Sequence, residues 1–258
     1  MAVEQFPRKK VSRPHTEITV DTSGIGGASN SSEKTLMLVG SAKVLITGLA
    51  NTGKTTLLKT LENTLVVSRD GKPFSLELPH FNVGEYTSID ELLDLLLEKL
   101  EAYKAKIGTY PDTVVFDSVS RIFTDIETNC SRKYNGYDVW SNVNKEINIF
   151  IEAVNDLQNQ NYNVVLIAHA VWDETAKKYI ETCKGSFAKT GGFLSTVDYA
   201  INIDVVGKKR ILTHRGSSLS RTLLTEVPEK ESADEFSLQE YLNKIKAKSE
   251  IVQDKWSI

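Results

Sequence analysis

Gly48-Leu49-Ala50-Asn51-Thr52-Gly53-Lys54-Thr55, followed by Thr56, is the stretch from which the fold of this chain is read. It fits the pattern G-x-x-x-x-G-K-[ST]. In that pattern glycines let successive backbone N–H groups turn inward on phosphate oxygens, the lysine reaches the β- and γ-phosphates, and the hydroxyl binds Mg²⁺. A chain of this length meets the pattern by chance about once in a hundred cases. Lys43-Val44-Leu45-Ile46-Thr47 before it is a short β-branched apolar run, and Thr55-Thr56-Leu57-Leu58-Lys59-Thr60-Leu61 after it has helical spacing without a breaker. Strand, loop and helix therefore follow in the order that turns a helix N-terminus toward phosphates.

Composition allows one α/β domain with appendages: 258 residues, 40% hydrophobic and 25% charged. The formal net charge of -3 excludes a uniformly basic surface, so any contact with nucleic acid must come from a local patch. Cys130 and Cys183 lack CxxC or Cys/His spacing, so neither a disulfide framework nor a zinc site is expected. No apolar run approaches the roughly 20 residues of a membrane span, and no signal-peptide core follows Met1, so the protein is expected in the cytoplasm and away from membranes.

Residues 1–33 read as a flexible N-terminal arm, 34–227 as the nucleotide-binding core, and 228–258 as a linker and C-terminal helix. The arm carries Pro7, Pro14 and the run Thr22 to Ser32, which supply no continuous buried face. Its cations Arg8, Lys9, Lys10 and Arg13 are a solvated tail or a phosphate contact. From Ser12 through Ala42, with Ile18-Thr19-Val20-Asp21-Thr22-Ser23-Gly24-Ile25-Gly26-Gly27 and Ser32-Glu33-Lys34-Thr35-Leu36-Met37-Leu38-Val39-Gly40-Ser41, the chain resembles the N-terminal segment of contractile-phage tail sheath proteins. The resemblance stops at Lys43 and implies a phage source, in which case the cytoplasm is that of the host.

Within the core, Leu65-Val66-Val67-Ser68 reads as a second strand that ends in the turn Arg69-Asp70-Gly71-Lys72-Pro73, with Phe74 to Leu78 as a hairpin arm. Ser88-Ile89-Asp90-Glu91 is a capping box that opens a helix with apolar positions at Ile89, Leu92, Leu93, Leu96, Leu100 and Tyr103. Thr113-Val114-Val115-Phe116-Asp117 is an apolar strand ending in an acid. Tyr137 to Gln160 is a helix with Trp140, Val143, Ile147, Ile151, Val154 and Leu157 on its core face. Val164 to His169 is a central strand buried on both faces. Val171 to Thr182 is expected as an exposed hairpin, Lys184 to Gly192 as a flexible loop, and Tyr199 to His214 as an antiparallel pair at the sheet edge. Ser237 and Glu240 form a second capping box, opening the last helix.

Phosphoryl transfer needs positioning and charge neutralisation more than covalent chemistry. Lys54 is the expected partner of the β/γ oxygens, and Thr55 and Asp117 are the expected Mg²⁺ ligands. Asp70, at the C-terminal end of the second strand, is the first candidate for orienting the attacking water, and Glu85 is its rival. His169, which ends the strand after that of Asp117, is placed to sense the γ-phosphate.

Gly48 to Thr55, Val114 to Ser118 and Leu166 to His169 resemble the core of RecA-like P-loop ATPases over roughly Lys34 to Thr225. The likeness is to AAA family ATPases of the short phage recombinase or single-strand-annealing type. It implies a mostly parallel central sheet flanked by helices with an antiparallel edge hairpin, and ATP with Mg²⁺ as ligands. It further implies a homo-oligomer acting on single-stranded DNA in recombination or replication, with a phage single-strand-binding protein or replication proteins as further partners. In such proteins a mobile loop ending in Gly-Gly contacts single-stranded DNA, which carries over to Lys184, Ser186, Phe187, Lys189, Thr190, Gly191 and Gly192: cations for the backbone and an aromatic for stacking. His169 stands where RecA has an amide side chain, and Asp70 where many relatives have Glu. Lys208, Lys209, Arg210, Arg215 and Arg221, on and after the edge hairpin, are either solvated or within reach of a neighbour's γ-phosphate. Two other functions use the same loop. A small-molecule or nucleotide kinase would add an Arg-rich lid, and no such cluster follows His169. A virion or assembly component would hold ATP as a structural ligand, in keeping with the sheath-like arm.

Overall fold

The computed structural model describes residues 41–70, 74–175 and 177–256. The basic arm, nearly all of the sheath-like run and the turn residues Gly71, Lys72 and Pro73 lie outside the described residues.

The β-branched run before the phosphate motif forms strand β1 (Lys43–Gly48), and the motif leads into a six-residue 3₁₀ helix, Thr55–Thr60, shorter than the sequence spacing suggests. In chain order there follow β2 (Thr64–Ser68), β3 (His80–Asn82), α1 (Ile89–Ile107), β4 (Thr113–Asp117), α2 (Val119–Lys133), α3 (Tyr137–Asn159) and β5 (Asn163–Asp173). The second half of the domain adds β6 (Lys178–Glu181), α4 (Gly185–Lys189), β7 (Tyr199–Val206), β8 (Lys209–Thr213), β9 (Lys230–Ser232) and α5 (Leu238–Trp256). Ser88 caps α1 by accepting from the Glu91 N–H at 3.4 Å, and Ser237 does the same for Glu240 at 3.2 Å. Gly108 ends α1 in the left-handed conformation, φ 93°.

The main sheet runs β3-β2-β4-β5-β1-β7-β8-β9, with β6 paired to the far end of β5. From β3 through β7 all neighbours are parallel, and β7-β8-β9 are antiparallel. The sheet is therefore the mixed, mostly parallel α/β sheet of a P-loop NTPase core. The central strands alternate between two apolar layers. Leu45, Val67, Phe116, Leu166 and Ala168 face α1, α2 and α3, while Val44, Ile46, Val66, Val115 and Ile167 face the 3₁₀ helix and α5. Burial on both faces explains why β1, β4 and β5 read as continuous apolar runs.

Four segments differ from expectation. Phe74 to Leu78 forms no strand; the third strand is His80–Asn82, parallel to β2. Residues 119–133, given no element above, form α2, capped by Ser118 and packed through Val119, Ile122, Phe123 and Ile126. Trp140 is 45% exposed and not on the core face of α3, because Val139, four residues before the buried Val143, takes the core-facing position of the first turn. The antiparallel pair is not the sheet edge, since Lys230–Ser232, within the stretch read as a linker, adds β9 beyond it. Leu238, Tyr241, Leu242 and Ile245 bring α5 onto the same core.

Candidate nucleotide site

Parallel strands share one C-terminal edge, and that edge collects the polar residues singled out in the sequence. Register places Gly48 opposite His169, and Asp117 between Ser68 and Ile167. The loop from Gly48 to Thr55 therefore opens beside the ends of β2, β4 and β5. Asn51 takes a left-handed conformation, φ 63°, which asparagine tolerates better than most side chains. The Thr52 hydroxyl donates to Leu49 O at 2.9 Å and closes the loop. Lys54 is buried, and its Nζ donates to Gly48 O at 3.0 Å and Leu49 O at 2.7 Å. The ammonium is thus held across the mouth of the loop. Leu49, Ala50 and Asn51 are exposed at its tip, and Thr56 is half-buried behind it.

Thr55 Oγ1 donates to Asp117 Oδ2 at 2.7 Å. Asp117 is only 4% exposed. Burial pushes its carboxyl above the usual carboxylate range; the Thr55 hydrogen bond opposes this, the Asp70 charge adds to it, and the Lys54 ammonium opposes it. This donor set fits Mg²⁺: a hard carboxylate oxygen, a hydroxyl whose lone pairs stay available while it donates to Asp117, and burial that a cation would offset. Among the described residues no group of three or more His, Cys, Asp or Glu side chains could hold a metal. Mg²⁺ takes one or two protein oxygens and fills its shell with phosphate and water. When bound, it neutralises charge on the phosphates.

Asp70 lies just beyond β2 and His169 near the parallel end of β5, and Asp70 Oδ1 is 3.7 Å from His169 Nε2, an ion pair whenever the imidazole is protonated. The structure thus brings Lys54, Thr55, Asp70, Asp117 and His169 together. Glu85 is exposed on the segment between β3 and α1. Sequence reasoning missed Ser120, whose hydroxyl accepts from the His169 N–H at 2.9 Å and lies 3.4 Å from Thr182 O, while Thr182 N donates to His169 O at 2.8 Å. A helix-forming segment with an apolar face and a serine three residues past Asp117 was the available signal. It also missed Arg69, which bonds Asp125 at 2.7 Å and Val83 O at 3.2 Å and so fixes the chain where it leaves β2.

The Lys184 to Gly192 segment is more ordered than a loop. Lys184 pairs with Glu127 at 2.7 Å, and Gly185–Lys189 forms α4. The Phe187 ring does not project for stacking: it packs on Phe123 and Phe193 with centroids 5.7 and 5.2 Å away. Ser186, Lys189, Thr190 and Gly191 are exposed, and Gly192 is buried.

The AAA domain family matches residues 41–221. The chain belongs to the AAA domain family. Membership carries ATP binding and hydrolysis in general, and its span covers the phosphate loop, β4 with Asp117, and β5 with His169. An N-terminal stretch of this AAA-domain chain is 93% identical over 43 residues to a putative tail sheath protein of Enterococcus phage phiEF24C, covering 17% of this chain and 8% of that protein. It is 54% identical over 43 residues to the tail sheath protein of Staphylococcus phage Twort (strain DSM 17442 / HER 48), covering 17% of this chain and 7% of that protein. The chain spans less than a tenth of the length of these relatives. No helix among the described residues is long and apolar enough to cross a membrane.

Proposed function

We propose that this AAA-domain protein is a phage-encoded, Mg²⁺-dependent, RecA-like ATPase that assembles with copies of itself and acts on single-stranded DNA in recombination or replication. The observation that carries the ATPase reading is the 2.7 Å Thr55–Asp117 contact beside Lys54, with Asp70 and His169 on the same sheet edge. In this reading Lys54 neutralises the β/γ oxygens, Asp70 orients water in preference to the exposed Glu85, and His169 senses the γ-phosphate.

Coupling to DNA is supported by the Ser120–His169–Thr182 hydrogen-bond ring, since it ties β5 at His169 to the segment that leads into Lys184. Lys189 is the exposed cation of that segment, and Lys184 would exchange Glu127 for a DNA phosphate. Trp172 and Tyr179, 47% and 40% exposed on the adjoining β5–β6 hairpin with centroids 5.2 Å apart, offer the stacking surface that Phe187 does not. The test is ATPase rate with and without single-stranded DNA. Stimulation is expected; an unchanged rate would remove the DNA role, and no Mg²⁺-dependent hydrolysis would remove the ATPase. The sheath-like N-terminus favours a second reading, an ATP-binding virion or assembly component. Co-sedimentation with phage particles, without DNA stimulation, would decide for it.

A further inference from the structure

Arg210 lies against the phosphate loop of its own chain. A methyl group placed on the Gly53 α-carbon would sit 2.8 Å from Arg210 Nη1 and 3.1 Å from its Cδ. Gly53 also has φ 93°, so the position is glycine for two reasons, a left-handed backbone and the close seat of this side chain. The seat is built from three strands. β8 carries Arg210 opposite Val205 of β7, Ala233 N just past β9 donates to Arg210 O at 2.9 Å, and the Asp234 carboxylate pairs with Nη2. One edge of the guanidinium is thereby anchored, and Nη1 is the nitrogen turned to the loop. Sequence alone offered two roles for this arginine, solvated surface or a reach toward a neighbour's γ-phosphate; its seat against the phosphate loop of its own chain adds a third.

We infer that Arg210 is a nucleotide-binding residue acting in cis: its guanidinium contacts the polyphosphate of the nucleotide held on its own phosphate loop, and Asp234 positions it. The inference rests on the reading of Gly48 to Thr55 as a nucleotide site. A planar guanidinium with five donors suits phosphate oxygens while keeping one side on a carboxylate, which the point charge of lysine does less well. Arg210 is 31% exposed in its side chain and Asp234 60%, so the pair sits at the surface, where the ion pair alone adds little stability.

The experiment is calorimetric titration of the full chain with Mg²⁺-ADP and Mg²⁺-ATP. Arg210→Ala weakens binding about 10-fold, Arg210→Lys recovers part of that loss, and Asp234→Asn falls between wild type and Arg210→Ala. Mixing Arg210→Ala with Lys54→Ala, whose neighbouring copies carry an intact Arg210, leaves hydrolysis at the Arg210→Ala level. Wild-type affinity in Arg210→Ala, or rescue by mixing, would overturn the cis role and leave the nucleotide site standing. A wild-type chain that binds neither nucleotide would overturn both.

Discussion

Gly53-Lys54-Thr55 and Lys189-Thr190-Gly191-Gly192 use nearly the same residues to opposite ends. In the first, the left-handed glycine makes room for Arg210, the lysine is buried across the loop mouth, and the threonine hydroxyl reaches Asp117 at 2.7 Å. Its polar groups gather around the loop. In the second, the lysine and threonine are exposed while Gly192, φ 60°, is pressed against the buried Glu181 and the half-buried Cys183. Here the glycine serves packing, and the cation faces outward. Residue type does not separate a phosphate cradle from a surface segment; the neighbouring strand ends do.

The comparison breaks most readily at its first member. Lys54→Ala removes the ammonium without touching the sheet, and ATP hydrolysis is expected to fall by about 100- to 1,000-fold with the fold intact by circular dichroism. A variant that kept wild-type turnover would deny the loop its role. Lys189→Ala, at the matching place in the second region, should leave hydrolysis without DNA unchanged and weaken single-strand binding in a salt-dependent way, with a log–log slope smaller by about 1.

Much of the first region was legible because its determinants are local. The motif, the apolar runs of β1, β4 and β5, and the Ser88 cap are all written within a few residues of where they act. The second region was not, because its structure is set from a distance. Phe187 is drawn inward by Phe123 on α2 and Phe193, and Lys184 is held by Glu127. β3 and β9 are three-residue strands, His80–Asn82 with Phe81 as its one apolar residue and Lys230–Ser232 with none, and only pairing to a formed sheet makes them strands. Arg210 gives no sequence sign of Gly53, since the two meet only once β7 and β8 stand beside β1.

Smaller effects sharpen the contrast inside the second region. Gly192→Ala adds a carbon where Glu181 Oε1 already sits and where Cys183 Sγ would be 2.7 Å away, at a backbone conformation unfavourable to alanine. A loss of about 1–3 kcal/mol in urea unfolding is expected. Phe187→Ala should cost about 1–2 kcal/mol of stability through lost ring packing. Trp172→Ala, on the exposed hairpin, should leave stability nearly unchanged and weaken single-strand binding about 10-fold. The reverse outcome, DNA affinity lost with Phe187 and kept without Trp172, would return the stacking role to the inward ring.

The smallest expected effect is a pH slope. Glu181 is buried, and burial pushes its carboxyl up to about 7 from 4.5, against hydrogen bonds from the Leu194 N–H, the Cys183 thiol and the Phe193 N–H. Its Oε2 is buried without a hydrogen-bond partner, which is why the neutral form is favoured. Between pH 4.5 and 7 the unfolded chain has released this proton while the folded chain retains it, so raising pH favours unfolding. Below that window both states are protonated and the penalty is absent; above it both are ionised and the penalty is complete. One proton sets the limit at about 1.4 kcal/mol per pH unit. Glu181→Gln keeps an oxygen for the Leu194 N–H and cannot ionise, so its stability relative to wild type should rise as pH increases through that range in thermal melts. Parallel melting curves would mean that Glu181 stays charged in the folded protein, and that the glycine pressed against it closes over an ion and not over a neutral acid.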